Sequence, residues 1–174
     1  LGPLATAEQV TDLRAEMGLD EPFFIQLGTY LSGLAQGDLG KSLLTSRPVM
    51  DDILGALPAT FELVVFTLVI QIVISIPLGI LAAVYRNTWV DNVIRVVSLV
   101  GIVTPGFVLA ILLQLSAAMY FGFFPITGRI DPSIMFDADI TGLLLVDGLI
   151  KGRPDVVGDA LRHLFLPAIA LAAG

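Results

Sequence analysis

Two long apolar runs constrain this chain more than any other feature of its sequence. Residues 63–85 and 96–128 contain no Asp, Glu, Lys, Arg or His. About 20 predominantly apolar residues are enough for a helix to cross a hydrocarbon core of about 30 Å. A core helix of a soluble domain would instead keep a polar face. We therefore expect an all-α, polytopic bundle of transmembrane helices in contact with membrane lipid, with helical loops outside the bilayer.

The composition agrees with a membrane protein and argues against other classes. Hydrophobic residues make up 56% of the chain and charged residues 14%, whereas soluble domains average about 25% charged residues. The net charge of −7 argues against nucleic acid as a partner, because a phosphate-binding surface has to be basic. The sequence contains no cysteine, which excludes disulfides and thiolate metal sites.

The charged residues divide the chain into alternating membrane and extramembrane segments. Short basic loops face the cytoplasm, and the loop between the two runs carries Arg86, with Arg95 at its far edge. Both flanking regions contain more acidic than basic residues, which is compatible with an outer location. The predicted segments are an extracytoplasmic loop with short amphipathic helices over 1–57, a transmembrane helix over 58–84, a short cytoplasmic loop over 85–94, a transmembrane helix over 95–120, an extracytoplasmic loop over 121–163, and the start of a truncated transmembrane helix over 164–174.

The two ends predict that the chain is a piece of a longer protein. Leu1 is not an initiator methionine, and no basic segment followed by an apolar run marks a signal peptide. The apolar run over 164–174 is too short to cross a bilayer. We therefore expect Gly174 to fall inside a helix.

The stretch GDLGKS over 37–42 ends like a phosphate-binding loop. That motif requires a glycine where this chain has Ala35, and it follows a buried β-strand. The preceding residues lack the β-branched run of such a strand, and Asp38 would place a carboxylate beside the phosphates. We interpret GDLGKS as a glycine-rich turn between two helices.

Small and polar residues recur every four positions in the first apolar run. This spacing places them along one slowly drifting face of a helix. The stripe has two interpretations, close packing of another helix against small residues or a polar path for a solute. Pro77, which frees the carbonyl of Val73, predicts a kink. The residues of the stripe are Thr67, Gln71, Ser75 and Gly79.

The second apolar run repeats this pattern around Thr104, Pro105 and Gly106. Pro105 frees the carbonyl of Gly101, and Gln114 lies further along the run. Interrupted helices are tolerated in a bilayer where protein or a water-filled cavity satisfies the freed groups. Two such spans indicate a conduit or an ordinary kinked bundle. For a conduit, the predicted pathway residues are Thr67, Gln71, Ser75, Thr104 and Gln114, and the predicted kink or packing residues are Pro77, Gly79, Pro105 and Gly106.

Ionisable residues are absent from both apolar runs. Proton- and ion-coupled transporters place such residues near the middle of the membrane, so the energy for any transport would come from another source. His163 is the only histidine, and we interpret it as a helix-surface residue at the membrane edge. The sequence offers no acid–base pair, nucleophile or metal cluster. We therefore predict no catalytic, cofactor-binding or metal-binding residue.

Several ordered motifs together resemble one family of transport proteins. They are GDLGKSLLTSRPVMDDILGALPATFEL, IPLGILAAVYRNTWVDNVIR, FPITGRIDP, TGLLLVDGLI and DALRHLFLPAIAL. In this order they resemble the permease subunit of bacterial dipeptide/oligopeptide ATP-binding cassette importers. The resemblance covers nearly the whole chain.

The resemblance implies a multi-pass location in the bacterial inner membrane and a set of partners. Members pair with a second, similar permease and two cytoplasmic ATPase subunits, and an extracytoplasmic binding protein delivers the peptide. It further implies a span before Leu1 and an ATPase-coupling loop after Gly174. The function implied is ATP-driven peptide import by alternating access, with ATP hydrolysis in the partner subunits and not in this chain.

Two alternatives to a peptide permease stay open at the level of sequence. Related importers of nickel, glutathione or oligosaccharides share the architecture. A non-transporting receptor or assembly scaffold would use residues 1–57 as a ligand or partner module and would need no ATPase. An enzyme is the third class, and no motif in the sequence favours it.

Overall fold

The computed structural model describes residues 6, 11, 14, 18–120, 124, 125 and 127–173. The chain forms two compact units, Leu1–Gly55 and Ala56–Gly174. The regular elements among the described residues are α1 (Phe23–Ala35), α2 (Val49–Val84), α3 (Trp89–Val103), α4 (Gly106–Tyr120), α5 (Leu144–Ile150) and α6 (Pro154–Ala172). The expected all-α architecture is confirmed for this part of the chain.

The GDLGKS stretch forms a turn between α1 and α2. Gly37 and Gly40 have φ angles of 83° and 75°, a conformation that glycine adopts without steric cost. The Asp38 carboxylate accepts a hydrogen bond of 2.8 Å from the Gly40 N–H. Lys41 forms an isolated antiparallel bridge with Pro48, and no helix begins at Lys41. The Gly40 N–H is therefore already bonded to a carboxylate of the same turn, whereas a phosphate-binding loop leaves such N–H groups for the phosphate.

Helix α2 is longer than the predicted transmembrane helix over 58–84. It begins at Val49 and continues without interruption through Pro58 and Pro77. Pro58, at the predicted start of the helix, therefore lies in its interior, because the residues from Val49 onward belong to the same helix. Within α2, which is described in full, only Glu62 is buried. Its length and apolar composition suffice to cross a membrane.

The predicted transmembrane helix over 95–120 consists of two helices that meet at a break next to Pro105. Helix α3 begins at Trp89, which shortens the predicted loop over 85–94, and the chain breaks after Val103. The axes of the two helices differ by 108°. Thr104 has extended φ and ψ angles of −82° and 123°, because the Pro105 ring disfavours helical geometry in the preceding residue. Together α3 and α4 are apolar and long enough to form one broken span.

The predicted boundary at residue 164 falls inside α6. This helix begins at Pro154 and runs through Pro167 to Ala172, so part of the predicted outer loop over 121–163 is helical. Proline suits the first turn because its missing N–H has no partner there in any helix. Helix α6 packs against α4 and α5. The core of the second unit contains Leu144, Val156 and Ala160, with Ile130, Ile134, Phe136, Ala138 and Leu145 packed against it.

Candidate functional site

A cavity of about 390 Å³ lies between α2, α3 and the end of α6. It belongs to the second unit, and its walls are mostly apolar. The lining residues are Gln71, Ile74, Ser75, Leu78 and Gly79 from α2, Ile94, Val97, Ser98 and Ile102 from α3, and Ile169, Ala172 and Ala173 from the end of α6. None of these side chains carries a charge, so the cavity combines an apolar wall with a few neutral polar groups.

Three polar side chains meet at this cavity, those of Gln71, Ser75 and Ser98. None of them forms a hydrogen bond within the described part of the chain. The Thr60 hydroxyl of α2, by contrast, bonds to its own helix and donates to the Ala56 carbonyl at 3.2 Å. A hydroxyl and a primary amide both donate and accept hydrogen bonds. The cavity therefore presents unused, uncharged hydrogen-bonding groups to whatever occupies it.

The structure brings together only some of the predicted pathway residues. Gln71 and Ser75, with the predicted packing residue Gly79, line the cavity, whereas Thr67, Thr104 and Gln114 do not. The Thr67 hydroxyl, one turn from Gln71, is buried without a hydrogen-bond partner among the described residues.

The predicted kink residues are dispersed. Pro77 lies within the uninterrupted helix α2, and Pro105 follows the break after α3. A Cβ atom at Gly106 would lie 3.7 Å from Leu171 Cδ2 of α6, which is ordinary packing distance. Gly106 therefore marks a contact between α4 and α6 and does not contribute to the cavity.

Sequence reasoning missed Ser98. It is a single serine in an apolar run, without a polar partner four residues away on the same helix. The signal that could have identified it is its isolation, since a lone hydroxyl in a membrane helix needs a hydrogen-bond partner.

The wall of the cavity depends on the close approach of α3 to the end of α6. A Cβ atom built on Gly101 would lie 2.1 Å from the Ala173 carbonyl oxygen. Any residue larger than glycine would clash there with backbone atoms. Gly101, a small residue at a helix contact, thus sets the spacing of the two elements.

A polar junction ties Glu62, in the first half of α2, to the segment between α4 and α5 and to the start of α5. Glu62 Oε2 accepts a hydrogen bond of 2.9 Å from Arg129 Nη2, and Oε1 accepts one of 2.7 Å from the Leu145 N–H. Arg129 Nη2 also donates to the Gly142 carbonyl at 3.1 Å. The Glu62 side chain is 4% exposed and the Arg129 side chain 39% exposed. The buried carboxylate is therefore paired and hydrogen-bonded, as burial of a charge requires.

A second buried carboxylate, Asp147, closes the loop before α5. It accepts hydrogen bonds from the Ile140 N–H at 3.1 Å and from the Thr141 N–H at 3.0 Å. The Thr141 hydroxyl donates to it at 2.6 Å. Burial by itself raises the pKa of Asp147, but the hydrogen bonds from Thr141, Ile140 and Gly142 outweigh it and bring the pKa below its usual value.

His163 differs from its prediction as a helix-surface residue. Its side chain is buried, and Nδ1 lies 2.9 Å from the Asp159 carbonyl oxygen and 3.4 Å from the Asp159 carboxylate. It borders a smaller cavity of about 250 Å³ beside Glu62 and Arg129. Within the described ranges, no group of three or more His, Cys, Asp or Glu side chains could hold a metal ion.

Most of the cavity-lining residues lie in a segment that matches a known protein family. Residues 75–174 match the family described as binding-protein-dependent transport system inner membrane component. The chain belongs to this family. Its members are polytopic helical membrane proteins that serve as transport components. The match includes α3, α4, α5 and α6 and the part of α2 from Ser75 onward, whereas Gln71 and Ile74 of the cavity precede it.

Curated relatives in this family extend the similarity to nearly the whole chain. The probable D,D-dipeptide transport system permease protein DdpB of Escherichia coli is 39% identical over 98% of this chain and 50% of its own length. The dipeptide transport system permease protein DppB of Alkalihalophilus pseudofirmus is 39% identical over 98% and 51%. The putrescine export system permease protein SapB of Escherichia coli is 32% identical over 82% and 45%. The chain thus spans about half the length of these curated relatives.

Proposed function

We propose that the chain forms part of a permease subunit for the ATP-driven import of dipeptides or oligopeptides. The observation that carries this proposal is the cavity lined by Gln71, Ser75 and Ser98, which offers unused neutral polar groups between apolar helices. Its family consists of transport components, and two relatives that match almost all of the chain are named for dipeptide transport. Uncharged hydrogen-bonding groups can contact a peptide backbone without trapping it.

The proposed partners follow from the family as binding-protein-dependent transport components. They are an extracytoplasmic peptide-binding protein, a second similar permease and two cytoplasmic ATPase subunits. ATP hydrolysis takes place in those subunits, and its energy drives the helices between outward- and inward-open states. Each helix of this chain then changes its contacts with its neighbours, and the cavity opens to one side at a time.

The proposed location is the bacterial inner membrane, which the chain crosses more than once. Helix α2 crosses it, and α3 with α4 forms a broken second span. The short connection between α2 and α3, which carries Arg86, faces the cytoplasm. The segments 1–57 and 121–163 lie on the outer face and receive peptide from the binding protein.

The polar residues of the proposed pathway form two groups. Gln71 and Ser75 contact the peptide in the cavity. Thr67, whose hydroxyl lacks a partner in the described structure, Thr104 and Gln114 lie on other parts of the route. A passing solute or water supplies the partner that the buried Thr67 hydroxyl needs.

Uptake of a labelled dipeptide into proteoliposomes tests the proposal. The vesicles contain the full-length protein with its second permease and ATPases, with loaded binding protein outside and ATP inside. We expect ATP-dependent uptake, and we expect Gln71→Leu to lower it about fivefold, since one hydrogen bond contributes about 1 kcal/mol. Gln114→Leu is the matched variant, because Gln114 lies outside the cavity. Comparing uptake by the two variants distinguishes the contribution of the cavity from that of the rest of the route.

The alternatives predict other results in the same vesicles. Uptake of putrescine, nickel, glutathione or an oligosaccharide, without dipeptide uptake, assigns the protein to another substrate class. A receptor or scaffold gives no uptake, and the full-length protein does not co-purify with ATPase subunits. Dipeptide uptake that is unchanged by Gln71→Leu and Gln114→Leu together limits both glutamines to helix packing.

A further inference from the structure

We infer that Ser98 is a substrate-contacting residue and that, with Gln71 and Ser75, it binds the main chain of the transported peptide. This inference rests on the proposed function and adds to it the part of the peptide that is recognised. Ser98, from α3, lines the same cavity as the two α2 residues. The cavity thereby has polar groups from two helices.

The position of Ser98 on its helix supports this role. Ile94, Ser98 and Ile102 line the cavity together, and residues four apart lie on one face of a helix. The remainder of this face is apolar. A single hydroxyl at its centre is therefore the hydrogen-bonding group that α3 contributes to the cavity.

The hydroxyl of Ser98 is also unused by its own helix. Serine in a membrane helix commonly bonds to the carbonyl four residues earlier, and Ser116 does so with the Leu112 carbonyl in α4. Ser98 and Ser75 form no such bond within the described part of the chain. Their hydroxyls remain able to donate to a peptide carbonyl or to accept from a peptide N–H.

The chemistry of the lining favours the main chain over other parts of a peptide. Main-chain N–H and C=O groups are neutral, recur in every peptide, and match the donors and acceptors of serine and glutamine. The lining contains no charged side chain for a peptide terminus and no aromatic side chain for stacking. The cavity volume of about 390 Å³ lies within the usual range of about 300–1,000 Å³ for small-ligand sites.

Cysteine accessibility tests the placement of Ser98 directly. This chain contains no cysteine, so Ser98→Cys can be introduced into the full-length protein after any cysteines outside these residues are removed. A small hydrophilic methanethiosulfonate reagent is applied to the reconstituted complex with and without a saturating dipeptide. We expect modification to stop uptake and the dipeptide to slow modification at least fivefold.

Ser116→Cys is the matched control, because Ser116 is a helical serine outside the cavity whose hydroxyl already bonds to Leu112. Its modification rate should not change with the dipeptide. Ser98→Ala should raise the KM for uptake about fivefold, to the same extent for dipeptides with different side chains, and leave kcat nearly unchanged. Ser98→Thr, which keeps a hydroxyl, should restore the wild-type KM.

The outcomes separate this inference from the proposed function. If the wild-type complex takes up no dipeptide, the proposed function fails and the inference fails with it. If the wild-type complex takes up dipeptide but Ser98→Cys does not react with the reagent, or reacts at the same rate with and without the dipeptide, the role of Ser98 is overturned. The proposed function is then unaffected. A KM change in Ser98→Ala that differs strongly between dipeptides would show side-chain recognition and would overturn recognition of the main chain.

Discussion

At the residue scale, Gly101 sets how closely α3 approaches the end of α6. We expect Gly101→Ala to lower the free energy of unfolding by about 1–3 kcal/mol, the usual range for overpacking, because its Cβ would clash with the Ala173 carbonyl. Thermal unfolding of the purified full-length protein in detergent measures this change. Gly158→Ala is the control, since a Cβ there meets nothing within 4 Å. Equal stability of the two variants would contradict the close packing.

The Glu62–Arg129 pair gives a second prediction at this scale. Arg129→Ala leaves the buried Glu62 carboxylate without its cation, and we expect a loss of about 2–4 kcal/mol in the free energy of unfolding. Adding Glu62→Gln should recover part of this loss, because a neutral side chain no longer needs the guanidinium. Thermal unfolding of the single and double variants tests this coupling.

Arg14→Ala is the matched control for the Arg129 variant. Arg14 pairs with Asp20, and both side chains are 55% exposed, so the loss should stay below about 1 kcal/mol. A double variant no more stable than Arg129→Ala alone would show that the two residues are not coupled.

The sequence allowed part of the candidate site to be predicted, and the physical reason is periodicity. Gln71, Ser75 and Gly79 share one α2 face because they are four residues apart, and all three line the cavity. Ser98 has no such partner along α3, so only tertiary structure brings it there. The Glu62–Arg129 pair is 67 residues apart in sequence, and no local pattern predicts that contact.

At the scale of elements, the prolines of this chain differ in their effect on the helices that contain or precede them. Helix α2 continues through Pro58 and Pro77, whereas the chain turns by 108° before Pro105. Proline alone predicts a kink at each of these positions. The sequence therefore indicates where helices are weakened, while the size of each bend depends on packing, such as that of α4 against α6.

A distance measurement tests whether Pro105 holds this bend. Spin labels at Val93 and Ser116 would be about 35 Å apart in one straight helix, at about 1.5 Å per residue. With the observed bend of 108° they would be roughly 20 Å apart. We expect Pro105→Ala to lengthen the distance toward the straight value, because Thr104 can then adopt helical geometry.

The control for this variant is Pro77→Ala with the same label pair, since Pro77 lies in the uninterrupted helix α2. The distance between the two spin labels in Pro77→Ala should equal the distance in the labelled protein that retains both Pro77 and Pro105. If Pro105→Ala leaves the distance unchanged, the packing of α4 on α6 maintains the bend without the proline.

At the scale of the whole molecule, the main prediction is that the apolar helices cross a membrane. Exposed apolar side chains cover most of α2, including Val73, Ile76 and Ile80, and such a surface is stable against lipid or other membrane helices. Membership of an inner-membrane family agrees with this. We further predict that GDLGKS and the α2–α3 connection lie on opposite faces of the membrane.

Side-specific labelling of the full-length protein measures this arrangement. Leu43→Cys, at a position that is 97% exposed beside GDLGKS, and Asn92→Cys, at an exposed position near the start of α3, are introduced separately into a cysteine-free background. Intact spheroplasts are treated with a membrane-impermeant maleimide, and permeabilised spheroplasts control for reactivity. We predict labelling of Leu43→Cys in intact spheroplasts and of Asn92→Cys only after permeabilisation. The reverse pattern, or labelling of both variants from outside, would contradict a membrane crossing by α2 in this orientation.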